Sequence, residues 1–361
     1  MKVRTLTRHF PAPAYLRFPL CGLDISDRAV KYVELLLHGQ ELRLGKHGEE
    51  EIPAGIVKGG VIIDQEKLTD IISGVREKTG LDFFHVSLPE EKAYLVEMSV
   101  PEAAGNDLRG AIELHLEENV PIPVNEVVFD YEIVHPPAQG LPTYIVAVSV
   151  VETTFAQSYL EVLGKSNITP LGFEFESEAL TRAVVKKGKK GVTMIVDIGR
   201  EQSNLSIVSS GIVRLTSSIS LGGNALSRAI ALDLKVDEKE ATSLKEGEGL
   251  SRRAGGKAPF ESIVRVASVL RDEMYQRLIY WDTGRVRSNS KDRVSEIILC
   301  GGNANVPGLV EYLTGGIDVP VSIADPWTNI LSLNEYIPEL KAREALKYCA
   351  ALGLALRGVE S

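Results

Sequence analysis

Apolar and polar residues alternate along two separate stretches of the chain, and each stretch begins around an Asp-Ile dipeptide. The first stretch runs from Gly22 to Ser26 and continues as an alternating strand from Ala29 to Leu37. The second runs from Val196 to Gly199 and continues from Asn204 to Val208. Alternation with a period of two is typical of a half-buried strand, so each stretch predicts a β-hairpin with a polar tight turn. The recurrence of this hairpin predicts an internally duplicated fold.

The chain between the two hairpins has the pattern of an α/β unit followed by a small α+β unit. Leu68, Ile71, Ile72 and Val75 share one face of a predicted helix over residues 65–79. Strands over 84–88 and 93–100 are predicted to close this first unit. After Pro101 the pattern changes, and it predicts a helix over 104–118, strands over 126–134 and 144–150, a helix over 152–166, and a helix over 173–185 that returns to the first unit.

A chain of 361 residues exceeds what one hydrophobic core usually serves, so two lobes are expected. The run from Lys186 to Lys190 favours a solvated turn between them, since like charges repel and stay hydrated.

The predicted divisions are a flexible N-terminal arm (1–20), a first-lobe subdomain (21–100), an inserted α+β subdomain (101–170), a return helix with the inter-lobe linker (171–191), the start of the second-lobe core (192–222), a helical subdomain (223–293), and the end of that core with a C-terminal helix (294–361).

Net charge, cysteine and histidine positions and the length of the apolar runs argue against a nucleic-acid-binding protein, a disulfide-bonded protein, a metal-ligand motif and a membrane span. A net charge of −9 disfavours nucleic-acid binding, which depends on Lys and Arg side chains that neutralise phosphates. Cys21, Cys300 and Cys349 are far apart within apolar runs, as expected of reduced core residues in a cytosolic protein. The longest apolar runs are much shorter than the roughly 20 residues that a membrane-spanning helix needs. The six histidines show no metal-ligand spacing.

The two Asp-Ile hairpins carry the candidate chemistry. Asp24 and Asp197 at the strand ends could position water or a hydrated Mg²⁺ ion beside a phosphate, which makes them the candidate catalytic and metal-associated residues. Backbone N–H groups in tight turns and at helix starts suit phosphate oxygens. The candidate nucleotide-binding residues are Ser26, Lys31, Gly199, Ser203, Asn204, Gly222, Gly223, Asn224, Lys245, Gly301, Gly302 and Asn303.

Each of these residues also has a simpler interpretation. A single Asp at a strand end is often a turn-forming residue, and Lys31 or Lys245 could be an ordinary exposed lysine. Gly222, Gly223 and Asn224 could form only a helix cap, and Gly301-Gly302 only a turn. The duplication favours the functional interpretation, in which two carboxylates face each other across a nucleotide.

The two hairpins resemble those of the actin, hexokinase and Hsp70-like superfamily. Within it, the stretches Glu117 to Pro123 and Glu126 to Tyr131 in the predicted insert are similar to the PilM family of type IV pilus assembly proteins. This resemblance covers nearly the whole chain after the arm and implies a two-lobed actin-like ATPase fold with an inserted subdomain. It also implies binding of ATP with Mg²⁺ between the lobes.

For partners, the resemblance implies the cytoplasmic tail of a PilN-like bitopic membrane protein, and motor or platform components of the pilus machine. The expected location is cytoplasmic, at the inner face of the cytoplasmic membrane, and the chain could form homo-oligomers. The turns depart from the usual glycine and small hydroxyl residues of the superfamily, because Asp27 and Glu201 stand there beside Arg28 and Arg200. The acidic side chains would repel phosphates unless they face away or the arginines offset them. ATP hydrolysis is therefore expected to be slow or absent.

Two alternatives share the same fold. One is a filament-forming protein similar to the cell-division actin FtsA, which also carries an inserted subdomain. The other is a kinase of a small metabolite, which would need a second substrate site and a carboxylate base that no pattern in the sequence indicates.

Overall fold

Two five-stranded sheets with the same strand order form the centres of two lobes. The structure is a computed structural model that describes residues 18–39, 41–102, 107–138, 142–251, 259–284 and 293–360. Residues 1–17 of the predicted arm lie outside this range.

Strands and helices are interspersed along the described part of the chain, as expected of an α/β fold. The strands are β1 (Leu20–Ile25), β2 (Ala29–His38), β3 (Glu41–Glu51), β4 (Val57–Lys58), β5 (Val61–Ile62), β6 (Phe83–Leu88), β7 (Ala93–Pro101), β8 (Val127–His135), β9 (Thr143–Glu152), β10 (Thr169–Phe175), β11 (Val192–Ile198), β12 (Ser203–Ser209), β13 (Ile212–Ile219), β14 (Val294–Cys300) and β15 (Val321–Ile323). The α-helices are α1 (Gln65–Thr79), α2 (Leu108–Asn119), α3 (Thr153–Lys165), α4 (Glu176–Val184), α5 (Gly223–Leu234), α6 (Glu238–Gly247), α7 (Phe260–Gly284), α8 (Leu309–Thr314), α9 (Ala342–Ala345) and α10 (Cys349–Glu360).

The two large sheets confirm the predicted duplication. The first sheet has the order β3-β2-β1-β6-β10, and the second has the equivalent order β13-β12-β11-β14-β15. In both, the first three strands form an antiparallel meander. In both, the remaining two strands run parallel to the central strand. The central strands β1 and β11 are the ones that end in Asp24-Ile25 and Asp197-Ile198.

The inserted subdomain is a separate three-stranded sheet in the order β7-β9-β8, with α2 packed against it. Its core includes Val100, Ile112 and Val148, which are fully buried. The sequence pattern assigned residues 93–100 to the first lobe, but β7 pairs with β9 along its whole length. The inserted sheet therefore begins at Ala93 rather than after Pro101.

The C-terminal helix α10 packs against β1 and β2 of the first lobe, although the pattern grouped it with the end of the second-lobe core.

Two further boundaries differ from the sequence prediction. The helix α3 packs through Tyr159 and Leu163 into the core of the first lobe, although the pattern placed it in the insert. The range 173–185 was predicted as one helix, but residues up to Phe175 belong to the edge strand β10 and only α4 is helical. Pro170 and Gly172, which flank a register shift in β10, weaken the strand pattern in the sequence, and an edge strand tolerates them.

The chain passes between the lobes near α4 and α10, which pack closely against each other. A Cβ atom on Gly353 of α10 would lie 1.8 Å from the carbonyl oxygen of Ala179 in α4. Glu174 at the end of β10 accepts hydrogen bonds from Arg182 of α4 at 2.5 Å and from Arg357 of α10 at 3.0 Å. Glycine and a buried carboxylate thus fix the position of these two helices.

Within the described residues, no helix combines the length and the apolar character needed to cross a lipid bilayer.

We expect Gly353→Ala to destabilise the protein by roughly 2 kcal/mol, because the added methyl group overlaps backbone that cannot move cheaply. Thermal unfolding followed by circular dichroism measures this change. Gly74→Ala in α1 is the matched control, since its Cβ would meet no atom within 4 Å. The control should raise stability by up to about 1 kcal/mol through helix propensity. Equal effects of the two substitutions would contradict the close packing of α4 and α10.

Candidate functional site

The ends of β1 and β11 face one cleft between the lobes, with a volume of about 520 Å³. In the first sheet, Asp24 lies opposite Lys31 on β2, and Lys31 lies opposite Glu49 on β3. In the second sheet, Asp197 lies opposite Asn204 on β12. All five side chains line the cleft, which we call the inter-lobe cleft. The structure therefore brings the two predicted carboxylates together.

Asp24 is held firmly, with only 3% of its surface exposed. Its carboxylate accepts a hydrogen bond from the Ser87 hydroxyl at 2.9 Å and forms an ion pair with the Lys31 ammonium at 3.3 Å. Ser87 also accepts a hydrogen bond from the backbone N–H of Ile25 at 3.1 Å. The strand β6 therefore fixes the carboxylate through a serine that the sequence patterns did not single out.

Lys31 is the cation at the centre of these carboxylates. Burial alone would lower the pKa of its ammonium group, but the charges of Asp24, Asp197, Glu176 and Glu49 together raise that pKa above its usual value. Lys31 therefore stays protonated at neutral pH, and it presents a positive charge to both lobes.

Asp197 and Glu176 carry the opposite perturbation. Burial raises the pKa of Asp197 to about 6, with Asp24 adding to the rise and Lys31 opposing it. Burial also raises the pKa of Glu176 well above its usual range, and the neighbouring charges of Asp24, Glu91 and Asp197 raise it further. Glu176 at the start of α4 accepts a hydrogen bond from the Asn204 side chain at 3.2 Å. It was missed in the sequence because it belongs to neither hairpin.

The acidic residues of the two turns have partners of their own. The Asp27 carboxylate accepts hydrogen bonds from the backbone N–H groups of Gly59 at 2.7 Å and Gly60 at 2.9 Å, in the turn between β4 and β5. Glu201 accepts a hydrogen bond from the Asn224 side chain at 2.8 Å. The repulsion expected from these two turn residues is thus reduced by contacts that engage both carboxylates.

Gly301 and Asn303 form the wall of the cleft beneath Asp197. Gly301 has a φ of +86°, and a Cβ atom there would lie 2.2 Å from an Asp197 carboxylate oxygen, so glycine is required. The Asn303 side chain donates to the backbone oxygen of Gly199 at 2.8 Å and accepts from the Lys245 ammonium at 2.9 Å. Lys245 is thereby held against the wall of the second lobe.

Most of the predicted nucleotide-binding residues line the cleft. They are Ser26, Lys31, Gly199, Asn204, Asn224, Lys245, Gly301, Gly302 and Asn303. The other three act behind the wall. The Ser203 hydroxyl donates to the backbone oxygen of Leu221 at 2.6 Å. Gly222 precedes α5, and a Cβ atom on Gly223 would overlap the Asn303 side chain.

The polar atoms of the cleft fit an anionic ligand that also carries donor groups. Arg28 Nε, Glu91 Oε2 and Asn204 Oδ1 are buried in its walls without a hydrogen-bond partner. Buried polar atoms rarely stay unpaired, so these three can take hydrogen bonds from water or from a ligand in the cleft. Among the described residues, no cluster of three or more His, Cys, Asp or Glu side chains is arranged to hold a metal ion by itself.

Comparison with known proteins gives a match over most of the chain. The family described as type IV pilus assembly protein PilM matches residues 22–359. A solved structure of a PilM-PilN type IV pilus biogenesis complex superposes with a TM-score of 0.76 at 22% identity, covering 94% of this chain and 98% of that chain.

More distant matches share the fold. The ethanolamine utilization protein EutJ from Carboxydothermus hydrogenoformans has a TM-score of 0.57 at 14% identity, covering 96% of this chain and 91% of that chain. MreB5 of Spiroplasma citri, solved with ADP, has a TM-score of 0.56 at 14% identity, covering 93% of this chain and 94% of that chain. The cell division protein FtsA of Enterococcus faecalis is 23% identical over 88% of this chain and 83% of its own length. The predicted two-lobed actin-like fold is confirmed.

We expect Asp197→Asn to stabilise the protein at pH 7 by on the order of 1 kcal/mol. Because the pKa of Asp197 is higher in the folded state than in the unfolded chain, folding takes up a proton between about pH 4 and 6. The contribution of Asp197 to the free energy of unfolding therefore falls as the pH rises through that window. Asparagine does not ionise, so the variant lacks this decrease.

Chemical denaturation of both proteins at pH 4.5 and pH 7 measures this difference. The control is Asp130→Asn, on an exposed position of β8, which should change stability little at either pH. If Asp197→Asn were less stable than the wild type at pH 7, the proposed burial cost of this carboxylate would be wrong.

Proposed function

Since the chain belongs to the PilM family of type IV pilus assembly proteins, we propose that it is an ATP-binding scaffold of the pilus assembly platform. In this proposal ATP binds with Mg²⁺ in the inter-lobe cleft, and the cytoplasmic tail of a PilN-like bitopic membrane protein binds elsewhere on the surface. The protein is then cytoplasmic and is held at the inner face of the cytoplasmic membrane through that partner. Contacts with motor or platform components, and self-association, belong to the same proposal.

The observation that carries the nucleotide proposal is the arrangement around Lys31. Lys31 pairs with Asp24 and interacts electrostatically with Asp197, and each carboxylate stands at the end of the central strand of its lobe. This arrangement is suited to a triphosphate with a bound metal ion. Lys31 would contact phosphate oxygens, while Asp24 and Asp197 would hold water molecules of the Mg²⁺ shell. The ion, when bound, supplies positive charge that neutralises the phosphates.

The same residues support slow or absent hydrolysis. A carboxylate that activates water must be ionised at the working pH. Glu176 lines the cleft from the start of α4, and burial raises its pKa well above the usual range. This shift disfavours the ionised form that would accept a proton from water.

The partner proposal rests on a groove between the first lobe and the inserted sheet. The groove has a volume of about 500 Å³. Its lining includes Ile62 of β5, Tyr94 of β7, Phe155 of α3, and Ile122, which follows α2. We call it the insert groove. A short amphipathic segment could place apolar side chains in it and add main-chain hydrogen bonds along β7, an edge strand of its sheet.

One segment lines both the inter-lobe cleft and the insert groove. Glu91 contributes to both walls, and Glu90 beside it accepts hydrogen bonds from the backbone N–H and hydroxyl of Ser177 in α4. A ligand that moves this segment from one side would alter the other side. This geometry supports coupling between nucleotide and partner, which requires different partner affinities with and without nucleotide.

The FtsA relative favours a second candidate function, a filament-forming protein of the same fold. ATP-dependent polymers in a sedimentation assay would support it over the scaffold proposal.

We expect titration calorimetry to show binding of Mg-ATP by the wild-type protein. Asp24→Ala and Asp197→Ala should each weaken it roughly tenfold, because each removes a carboxylate that holds the hydrated ion. Asp130→Ala on the insert is the control and should bind like the wild type. A wild-type protein that binds no ATP would refute the nucleotide proposal.

A synthetic peptide with the cytoplasmic tail sequence of the PilN-like protein from the same organism should bind the folded chain. Tyr94→Ala should weaken this binding, since Tyr94 lines the insert groove and is 37% exposed. Tyr275→Ala on the exposed side of α7, in the other lobe, is the matched control. Unchanged binding by Tyr94→Ala together with a loss in Tyr275→Ala would move the partner site to the second lobe.

A further inference from the structure

A first-lobe carboxylate, Glu49, bridges to the second lobe across the inter-lobe cleft. Glu49 continues the row from Asp24 through Lys31 onto β3. Its carboxylate accepts a hydrogen bond from the guanidinium of Arg200 at 2.8 Å and one from the Lys347 ammonium at 2.5 Å. Arg200 lies in the turn between β11 and β12, on the second lobe. Lys347 lies where the two lobes meet, because Leu346 before it accepts a hydrogen bond from the N–H of Gly301 in the second lobe and Tyr348 after it packs with Val33 of β2.

The surroundings of Glu49 are strongly cationic. Only 13% of its side chain is exposed. Burial would raise the pKa of its carboxyl group, but the hydrogen bond from Lys347 and the charges of Lys347, Arg200 and Lys31 lower it below the usual value. Glu49 is therefore an anion at neutral pH, surrounded by three cations that line the inter-lobe cleft. Such a setting is suited to phosphate oxygens as well as to a carboxylate.

The duplication shows that this carboxylate is not required by the fold. The equivalent row in the second sheet runs from Asp197 through Asn204 to Ser218, so a small hydroxyl residue stands where the first lobe has Glu49. The strand itself tolerates either residue type. The carboxylate at residue 49 is thus a feature of the cleft and not of the sheet.

Arg28 of the first lobe makes a contact that mirrors the one between Arg200 and Glu49. Arg28, in the turn between β1 and β2, lies 3.8 Å from the Glu201 carboxylate in the second-lobe turn. The same Glu201 lies 3.7 Å from Arg228 of α5. The turn that follows each central strand therefore directs its arginine toward a carboxylate of the opposite lobe.

We propose that Glu49 is an internal counter-anion that latches the lobes together through Arg200 and Lys347, and that competes with polyphosphate for these two cations. The competition rests on the proposed function, whereas the latch does not. When phosphate oxygens bind Arg200 and Lys347 in place of the Glu49 carboxylate, the ligand bridges the two lobes instead of Glu49. Glu49 therefore sets the affinity of the cleft for nucleotide and the separation of the lobes in the nucleotide-free protein.

Glu49→Gln keeps the shape of the side chain and removes the charge. Glu50→Gln is a matched control, because Glu50 is the next residue of β3 and pairs instead with Lys78 on the surface at 2.6 Å. Arg200→Gln is the second variant, since it removes the latch from the other side together with a phosphate-binding cation. Thermal melts establish that all variants are folded.

The latch is measured without nucleotide, by pulsed electron spin resonance between labels at Glu77→Cys in α1 and Leu232→Cys in α5. Both positions are exposed, whereas the three native cysteines are buried. Glu49→Gln and Arg200→Gln should lengthen and broaden the distance distribution, and Glu50→Gln should leave it unchanged. A Glu49→Gln distribution identical to that of the wild type would overturn the latch.

The competition is measured by calorimetry with inorganic pyrophosphate and with Mg-ATP. Removing the carboxylate should tighten binding roughly tenfold in Glu49→Gln, whereas Arg200→Gln should weaken it by a similar factor. Weaker or unchanged binding by Glu49→Gln would overturn the competition. If neither the wild type nor Glu49→Gln bound either ligand, the proposed function and the competition would both fail, and the label distances would still decide the latch.

Discussion

The position of Lys31 is the constraint on which the functional account depends. Its ammonium group is placed among carboxylates from both lobes, and their charges outweigh the cost of burying it. Two sheets with the same strand order direct the ends of their central strands at one cleft, so Asp24 and Asp197 approach the same cation. Like charges this close would repel without it. Burial, together with the neighbouring carboxylates, still raises the pKa values of Asp197 and Glu176 above their usual range.

The acidic residues that line the cleft outnumber its basic ones, a charge balance that suits the proposed nucleotide when the nucleotide carries a metal ion. A triphosphate alone would add further negative charge, whereas a triphosphate with Mg²⁺ brings the cation that the carboxylates lack. Glu49 acts within the same balance on the cationic side of the cleft.

The sequence indicated the duplicated hairpins, and most of the site residues that it singled out line the cleft, because strand alternation and turn chemistry are local signals. Helix α1 was predicted with its observed bounds for the same reason. The strand β7 was wrongly assigned to the first lobe, since strand pairing depends on residues far apart in the chain that no local pattern encodes. Ser87 and Glu176 were missed as site residues because only tertiary packing brings them to the hairpins. Glu49 was missed because its role depends on the pairing register of β2 with β3, which places it opposite Lys31.

A crystal structure of the protein grown with Mg²⁺ and a non-hydrolysable ATP analogue tests the central claim most directly. The account predicts a triphosphate between the Asp24–Lys31 and Asp197–Asn204 hairpins, with the metal ion bridged by water to Asp24 and Asp197. It also predicts that the Glu49 carboxylate no longer contacts Arg200. A nucleotide bound away from Lys31, or one that leaves the contact between Glu49 and Arg200 intact, would contradict it.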